Sequence, residues 1–159
     1  MTDLICFDCD GVLVDSELLA AQTTVDYLAE LGIQVTRAEA SALFTGKTAE
    51  AAREIIRNTY QVDLTARHTA RFDLLLFQRF RARLRPMSGI ADVLAALRIP
   101  SCVTSNSGHA RLALALGLTG LADHSECRVF SGEDVAQGKP APTCSSMPPR
   151  ALEWMCDVA

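Results

Sequence analysis

A chain of 159 residues, 49% hydrophobic and 21% charged, is long enough for one folded core and too apolar for a disordered one. A net charge of −4 and a pI near 5.3 supply no broad cationic field, so nucleic acid is not an expected partner and an anionic ligand must be held by local donors. The N-terminus has no basic region ahead of a long apolar segment and no run reaches bilayer length, so the sequence predicts neither signal peptide nor membrane span, and a cytoplasmic setting.

The chain starts with the apolar run Leu4-Ile5-Cys6-Phe7, which predicts a strand, and continues Asp8-Cys9-Asp10-Gly11-Val12-Leu13-Val14-Asp15-Ser16. Alternate strand residues share a face, so Asp8 and Asp10 are expected on one side, with Gly11 permitting a sharp turn straight after them. An ordinary strand followed by an Asp-Gly turn would read the same way locally. From Ser16 to Arg85 the periodicity becomes helical. Leu18, Leu19, Val25, Leu28 and Leu31 predict a helix closing at Gly32. Ala51, Ala52, Ile55 and Ile56 predict a second after a Thr48 cap, and Ala66 to Leu84 a third with arginines on its polar side. Arg85-Pro86-Met87-Ser88-Gly89 punctuates the pattern as a linker. A short helix over Ile90 to Leu97 then leads to the apolar run ending Val103-Thr104-Ser105-Asn106. A third run, Val129-Phe130-Ser131, precedes Gly138-Lys139-Pro140-Ala141-Pro142.

Taken in order, Asp-x-Asp-Gly-x-Leu-x-Asp-Ser, Ser-Asn after a strand, and Gly-Lys-Pro-x-Pro resemble the motifs of the haloacid dehalogenase-like hydrolases, over roughly residues 1–142. The likeness is greatest to the sugar-phosphate phosphatase and β-phosphoglucomutase branch. It implies an α/β fold: a Rossmann-like core with a parallel sheet, formed by residues 1–15 and 86–159, and an inserted all-helical cap formed by residues 16–85. It further implies magnesium-dependent hydrolysis of a small phosphorylated metabolite through an aspartyl-phosphate. In that scheme Asp8 attacks phosphorus, and Asp10 first protonates the leaving alcohol and then activates water. Mg2+ binds the Asp8 carboxylate and the Asp10 backbone carbonyl. Ser105 and Asn106 hold the phosphoryl group, and Lys139 neutralises it. Gly46 and Lys47 in the cap are placed to meet the rest of the substrate, and a solvated lysine at a helix start is nearly as good a reading. The mutase branch carries a histidine where this chain has Ala20, which favours hydrolysis. Taken singly, Ser105 reads better as a turn former and Lys139 as a surface charge, and it is their occurrence together that favours the motif.

The C-terminal part departs from the pattern. The family's fourth, acidic motif is not reached by Ala159, which predicts an incomplete core, an exposed apolar edge along Leu4 to Phe7 and a weakened metal site. A non-catalytic phosphate-binding module is the rival reading on that ground. Relatives continue after Lys-Pro-x-Pro with an aspartate and an amphipathic helix, whereas residues 143–149 read Thr-Cys-Ser-Ser-Met-Pro-Pro. One choice of codons for that segment, shifted by a single base, reads Asp-Leu-Phe-Leu-His-Ala-Ala. A local frame slip and a divergent loop are both open. The six cysteines, at 6, 9, 102, 127, 144 and 156, lack the pairing of a zinc site and are expected to be buried reduced thiols.

Overall fold

The computed structural model describes residues 4–122 and 129–135. Three short strands, β1 (Ile5–Phe7), β2 (Ser101–Ser105) and β3 (Val129–Ser131), form a parallel sheet in the order β1-β2-β3. Phe7 stands opposite Val103 and Ser105 opposite Ser131, so the register brings the carboxyl ends of all three strands to one edge. Residues Asp8, Asn106 and Gly132 follow directly at that edge, where open α/β sheets form their crevices. β2 is the central strand, and Cys102, Val103, Thr104 and Ser105 are all buried. Its apolar run therefore reflects cover on both faces.

Parallel neighbours cannot be joined by a tight turn. The β2 to β3 crossover contains α6 (His109–Thr119), which ends at Gly120 in the left-handed conformation, φ +70°. The β1 to β2 crossover carries five helices: α1 (Glu17–Glu30), α2 (Arg37–Phe44), α3 (Ala49–Tyr60), α4 (Ala66–Arg83) and α5 (Ile90–Ala96). α1 follows the expectation in extent and buries the expected Leu28, but its other buried residues are Ala21, Thr23, Thr24 and Tyr27, while Leu18 is 61% exposed. α3 starts where expected, with the Thr48 hydroxyl accepting the Ala51 N–H at 3.2 Å. α2 has no counterpart in the periodicity reading. Its signal is a capping box, in which Thr36 and Glu39 satisfy each other's backbone N–H groups.

The chain enters and leaves this helical stretch through two segments that run side by side. Asp15 N–H donates to the Arg85 carbonyl at 2.9 Å, Met87 N–H donates to the Leu13 carbonyl at 2.9 Å, and Val14 and Pro86 form an antiparallel bridge. One hydrophobic cluster joins the two sides, since Leu76, Phe80 and Leu84 from α4 and its end pack with Cys9, Leu13, Val103, Leu112 and Leu116. α1 and α4 are also tied by Arg79, whose guanidinium donates to the buried Thr23 hydroxyl at 2.9 Å and pairs with Asp26.

The cysteine expectation needs one correction. Cys9 and Cys102 are buried free thiols, but Cys6 is exposed and unoxidised. The reason is position: β1 lies at the edge of the described sheet, so Cys6 has β2 on one side alone and rests 3.4 Å from the Cys102 sulfur. Cys127, Cys144 and Cys156, the segment 143–149 and Lys139 with its Gly-Lys-Pro motif lie outside the described residues.

Candidate active site

Past the end of β1 the chain wraps round a single carbonyl. Cys9 C=O accepts from the N–H groups of Leu13 and Val14 at 2.9 and 3.1 Å, and Gly11, at φ +75°, closes the turn by donating to Val14 C=O at 2.9 Å. A side chain at position 11 would be strained in that conformation. The turn keeps the strand alternation going: Cys9 is 1% exposed within the hydrophobic cluster, and Asp8 and Asp10 both line the large cavity on the other side. Cys9 N–H donates to Asp8 Oδ1 at 2.8 Å, fixing that carboxylate against its own loop.

The end of β2 supplies the opposite wall. The Ser105 hydroxyl is buried and accepts from Ser107 N–H at 3.1 Å, curling the backbone into the start of α6. Ser131, at the end of β3, anchors the same loop by donating to the Ser107 carbonyl at 2.8 Å. Gly132 then passes so close to Asn106 that a Cβ there would lie 2.9 Å from its carbonyl oxygen. Glu133 and Asp134 complete the stitching, since Glu133 accepts from His109 N–H at 3.0 Å and Asp134 contacts the His109 ring at 2.7 Å. The helix N-terminus is thus partly neutralised by an internal carboxylate.

Asp10 is the most heavily bonded group of the site. Its Oδ1 accepts from the Ser16 hydroxyl and from Arg111 Nη2 at 2.7 Å, and its Oδ2 accepts from the Ser107 hydroxyl at 2.6 Å. Burial alone pushes the Asp10 carboxyl up, but the Arg111 charge and the donors Ser107, Ser16 and Arg111 outweigh it and hold the group below its ordinary value of 3.8. A carboxylate depressed in the folded state stabilises the fold fully above its unfolded value and loses that contribution as the pH falls through the lower folded value. Chemical denaturation at a series of acidic pH values is therefore expected to show stability falling once the pH drops below 3.8. The fall is expected to be shallower in Asp10→Asn, and an identical fall in both proteins would contradict this assignment.

Asp73, on α4, faces the same cavity with the opposite perturbation. Burial raises its carboxyl, Arg111 lowers it and Glu133 raises it further, with a net upward shift. Two carboxylates around one guanidinium are thus pushed in opposite directions.

The cavity has a volume of about 800 Å3 and extends from Asp8, Asp10, Ser105, Asn106, Ser107 and Arg111 to the helical side, where Ala20, Gly46, Lys47, Thr48 and Arg53 line it. Asn106 joins the two sides by donating through Nδ2 to the Gly46 carbonyl at 2.8 Å. Six of the seven residues singled out from sequence, Asp8, Asp10, Gly46, Lys47, Ser105 and Asn106, therefore border one space, and Lys139 lies outside the described residues. Sequence reasoning did not find Ser16 as a donor, Ser107, Arg111 or Asp73. Ser107 and Arg111 carried a local hint, falling two and six residues after Ser105 at a helix start, but nothing local pointed either at Asp10.

Among the described residues no group of three or more His, Cys, Asp or Glu side chains could hold a metal ion. What the site does offer is hard oxygen, from the Asp8 carboxylate on the cavity wall, which suits a cation such as magnesium rather than a thiophilic metal.

A strand-end carboxylate pair, a second strand ending in Ser-Asn and a helical stretch inserted between them agree with a family-wide comparison, in which residues 2–145 match the model of the haloacid dehalogenase-like hydrolases. The chain belongs to that family. This haloacid dehalogenase-like protein is similar to the 6-phosphogluconate phosphatase of Escherichia coli (strain K12), with 29% identity over 143 residues that cover 88% of the chain and 64% of the relative. It also resembles the crystal structure of a conserved haloacid dehalogenase-like protein of unknown function from Agrobacterium tumefaciens, with 32% identity and a TM-score of 0.72, covering 91% of this chain and 66% of that one. A hydrolase of the same family from Deinococcus radiodurans, solved with bound phosphate and sodium, shares 27% identity at a TM-score of 0.67, covering 95% of this chain and 67% of that one. The chain spans about two thirds of the length of these relatives. No helix among the described residues is long and apolar enough to cross a membrane.

Proposed function

We propose that the chain carries the site of a phosphatase acting on a small phosphorylated metabolite, a sugar phosphate or sugar-acid phosphate, with Asp8 as nucleophile and Asp10 as acid and base. The observation that carries this reading is the placement of both carboxylates on one wall of a single cavity, facing Ser105, Ser107 and Arg111, with Lys47 across the space. The similarity to a 6-phosphogluconate phosphatase and to a phosphate-bound relative supports the substrate class.

Phosphate esters resist attack because their anionic oxygens repel nucleophiles, so the protein must neutralise charge and align the reactants. An Asp8 oxygen forms a bond to phosphorus as the ester bond breaks, and Asp10, whose protonation from solvent the anionic phosphoryl group beside it favours, passes that proton to the leaving alkoxide. Water then attacks the aspartyl-phosphate, Asp10 takes its proton, and phosphate leaves with the Asp8 carboxylate restored. Ser105 donates its hydroxyl to the phosphoryl group. The Asp8 carboxylate and the Asp10 carbonyl would hold a magnesium ion, which would supply charge neutralisation when bound. Residues 16–85 act as a cap hinged on the paired segments at Leu13–Asp15 and Arg85–Met87, and the Asn106 to Gly46 hydrogen bond holds the Lys47 loop over the site.

Assay of the purified chain with magnesium against a panel of sugar phosphates and sugar-acid phosphates tests this, and absence of turnover on all of them would refute it. Lys47 provides a finer test. Lys47→Ala is expected to raise KM about tenfold for the preferred sugar-acid phosphate, the value of one charge-assisted contact, and to leave KM for p-nitrophenyl phosphate unchanged. Equal effects on both substrates would assign Lys47 to the solvated surface.

A further inference from the structure

Arg111 is the arginine of this cavity that keeps a buried N–H without a partner. Among the described residues lining the space the arginine and lysine side chains are Lys47, Arg53 and Arg111, and Arg111 is the one contributed by the sheet side, from the first turn of α6. It meets Asp10 through Nη2, and its Nε is buried without a partner. A guanidinium committed to a carboxylate usually engages it with two parallel N–H donors, and a buried N–H left unpaired is costly. Asp10, by contrast, keeps a partner on each oxygen without Arg111, because the Ser16 and Ser107 hydroxyls each hold one of them. The guanidinium also lies over the Phe80 ring, 5.4 Å from its centroid. A ring face holds a cation without fixing its orientation, so it offers a surface on which the fork can turn.

We propose that Arg111 is a phosphoryl-binding residue, which turns from Asp10 on the Phe80 ring to grip the phosphoryl oxygens of the ligand with two donors while Ser16 and Ser107 retain Asp10. This rests on the proposed phosphate specificity of the cavity, but not on turnover. A phosphate anion suits the fork of Arg111 in geometry and in charge, and the exchange gives the buried Nε an acceptor.

Titration of the full chain with inorganic phosphate by calorimetry tests the assignment without requiring catalysis. Arg111→Gln is expected to weaken phosphate binding about ten- to hundredfold, and Arg111→Lys, which keeps the charge but not the fork, to fall between that variant and wild type. Arg57→Gln, in an exposed pair with Asp63, is expected to bind as wild type does. Asp10→Asn removes the competing carboxylate and should tighten phosphate binding, and the double variant Asp10→Asn with Arg111→Gln should lose that gain. Far-ultraviolet circular dichroism of each variant establishes that it is folded, and should Arg111→Gln fail to fold, Arg111→Lys and Asp10→Asn carry the test between them. A wild-type chain that does not bind phosphate would overturn the assignment, as would unchanged binding in the Arg111 variants or a gain from Asp10→Asn that survives the loss of Arg111. A chain that binds phosphate through Arg111 yet hydrolyses no ester would refute the proposed reaction and uphold this role.

Discussion

Asp8→Asn is expected to lower turnover of any phosphate ester by a factor on the order of a thousand or more, with the fold intact. The amide removes both functions assigned to that side chain, since it is a far poorer nucleophile and a neutral metal ligand. Little compensates for it, because Asp10, the other carboxylate of the strand end, is engaged by Ser16, Ser107 and Arg111. Steady-state kinetics of wild type and variant on the best substrate of the panel, with circular dichroism to verify folding, measures the effect. Activity within a few fold of wild type would remove Asp8 from the mechanism.

Phe80→Ala is expected to destabilise the chain by about 3–5 kcal/mol, the range for deleting a buried aromatic side chain from a packed core. Phe80 is 1% exposed and belongs to the cluster that joins α4 to the strand-end turn and α6. Small domains are stable by only about 5–15 kcal/mol, so the variant should unfold at a much lower denaturant concentration or fail to accumulate. Urea denaturation followed by circular dichroism gives the number. Phe80→Leu, which preserves most of the volume, should lose much less, and equal losses in the two would mean that the cavity left behind is not the cause.

How far the sequence could be read depended on the distance over which each feature is encoded. The strand-end pair was legible because alternation across three residues puts Asp8 and Asp10 on one side and Cys9 on the other, and the turn that follows depends on Gly11. Thr48 was legible as a cap because its partner, the N–H of Ala51, is three residues away. The Thr36 and Glu39 box carried the same kind of signal, yet only eight helical residues follow it, too few for periodicity to stand out. The donors on Asp10 are another matter. Ser107 and Arg111 lie 97 and 101 residues away in the chain and reach Asp10 only through the pairing of β1 with β2. Their roles become visible once that register is known. The Asn106 side chain donates to the Gly46 carbonyl, a contact across 60 residues that the local sequence does not show. Cys6 looked like a core residue because its neighbours are apolar, and which strands flank β1 is a property of the sheet rather than of the local sequence.

The most direct test of the account is to look for the covalent intermediate. Wild-type protein mixed with magnesium and its preferred substrate, quenched in acid during turnover, digested and mapped by mass spectrometry, is expected to carry one phosphoryl group on Asp8, and Asp8→Asn treated identically is expected to carry none. A phosphoryl group on a different residue, or robust turnover with no phosphorylated peptide at any quench time, would contradict it.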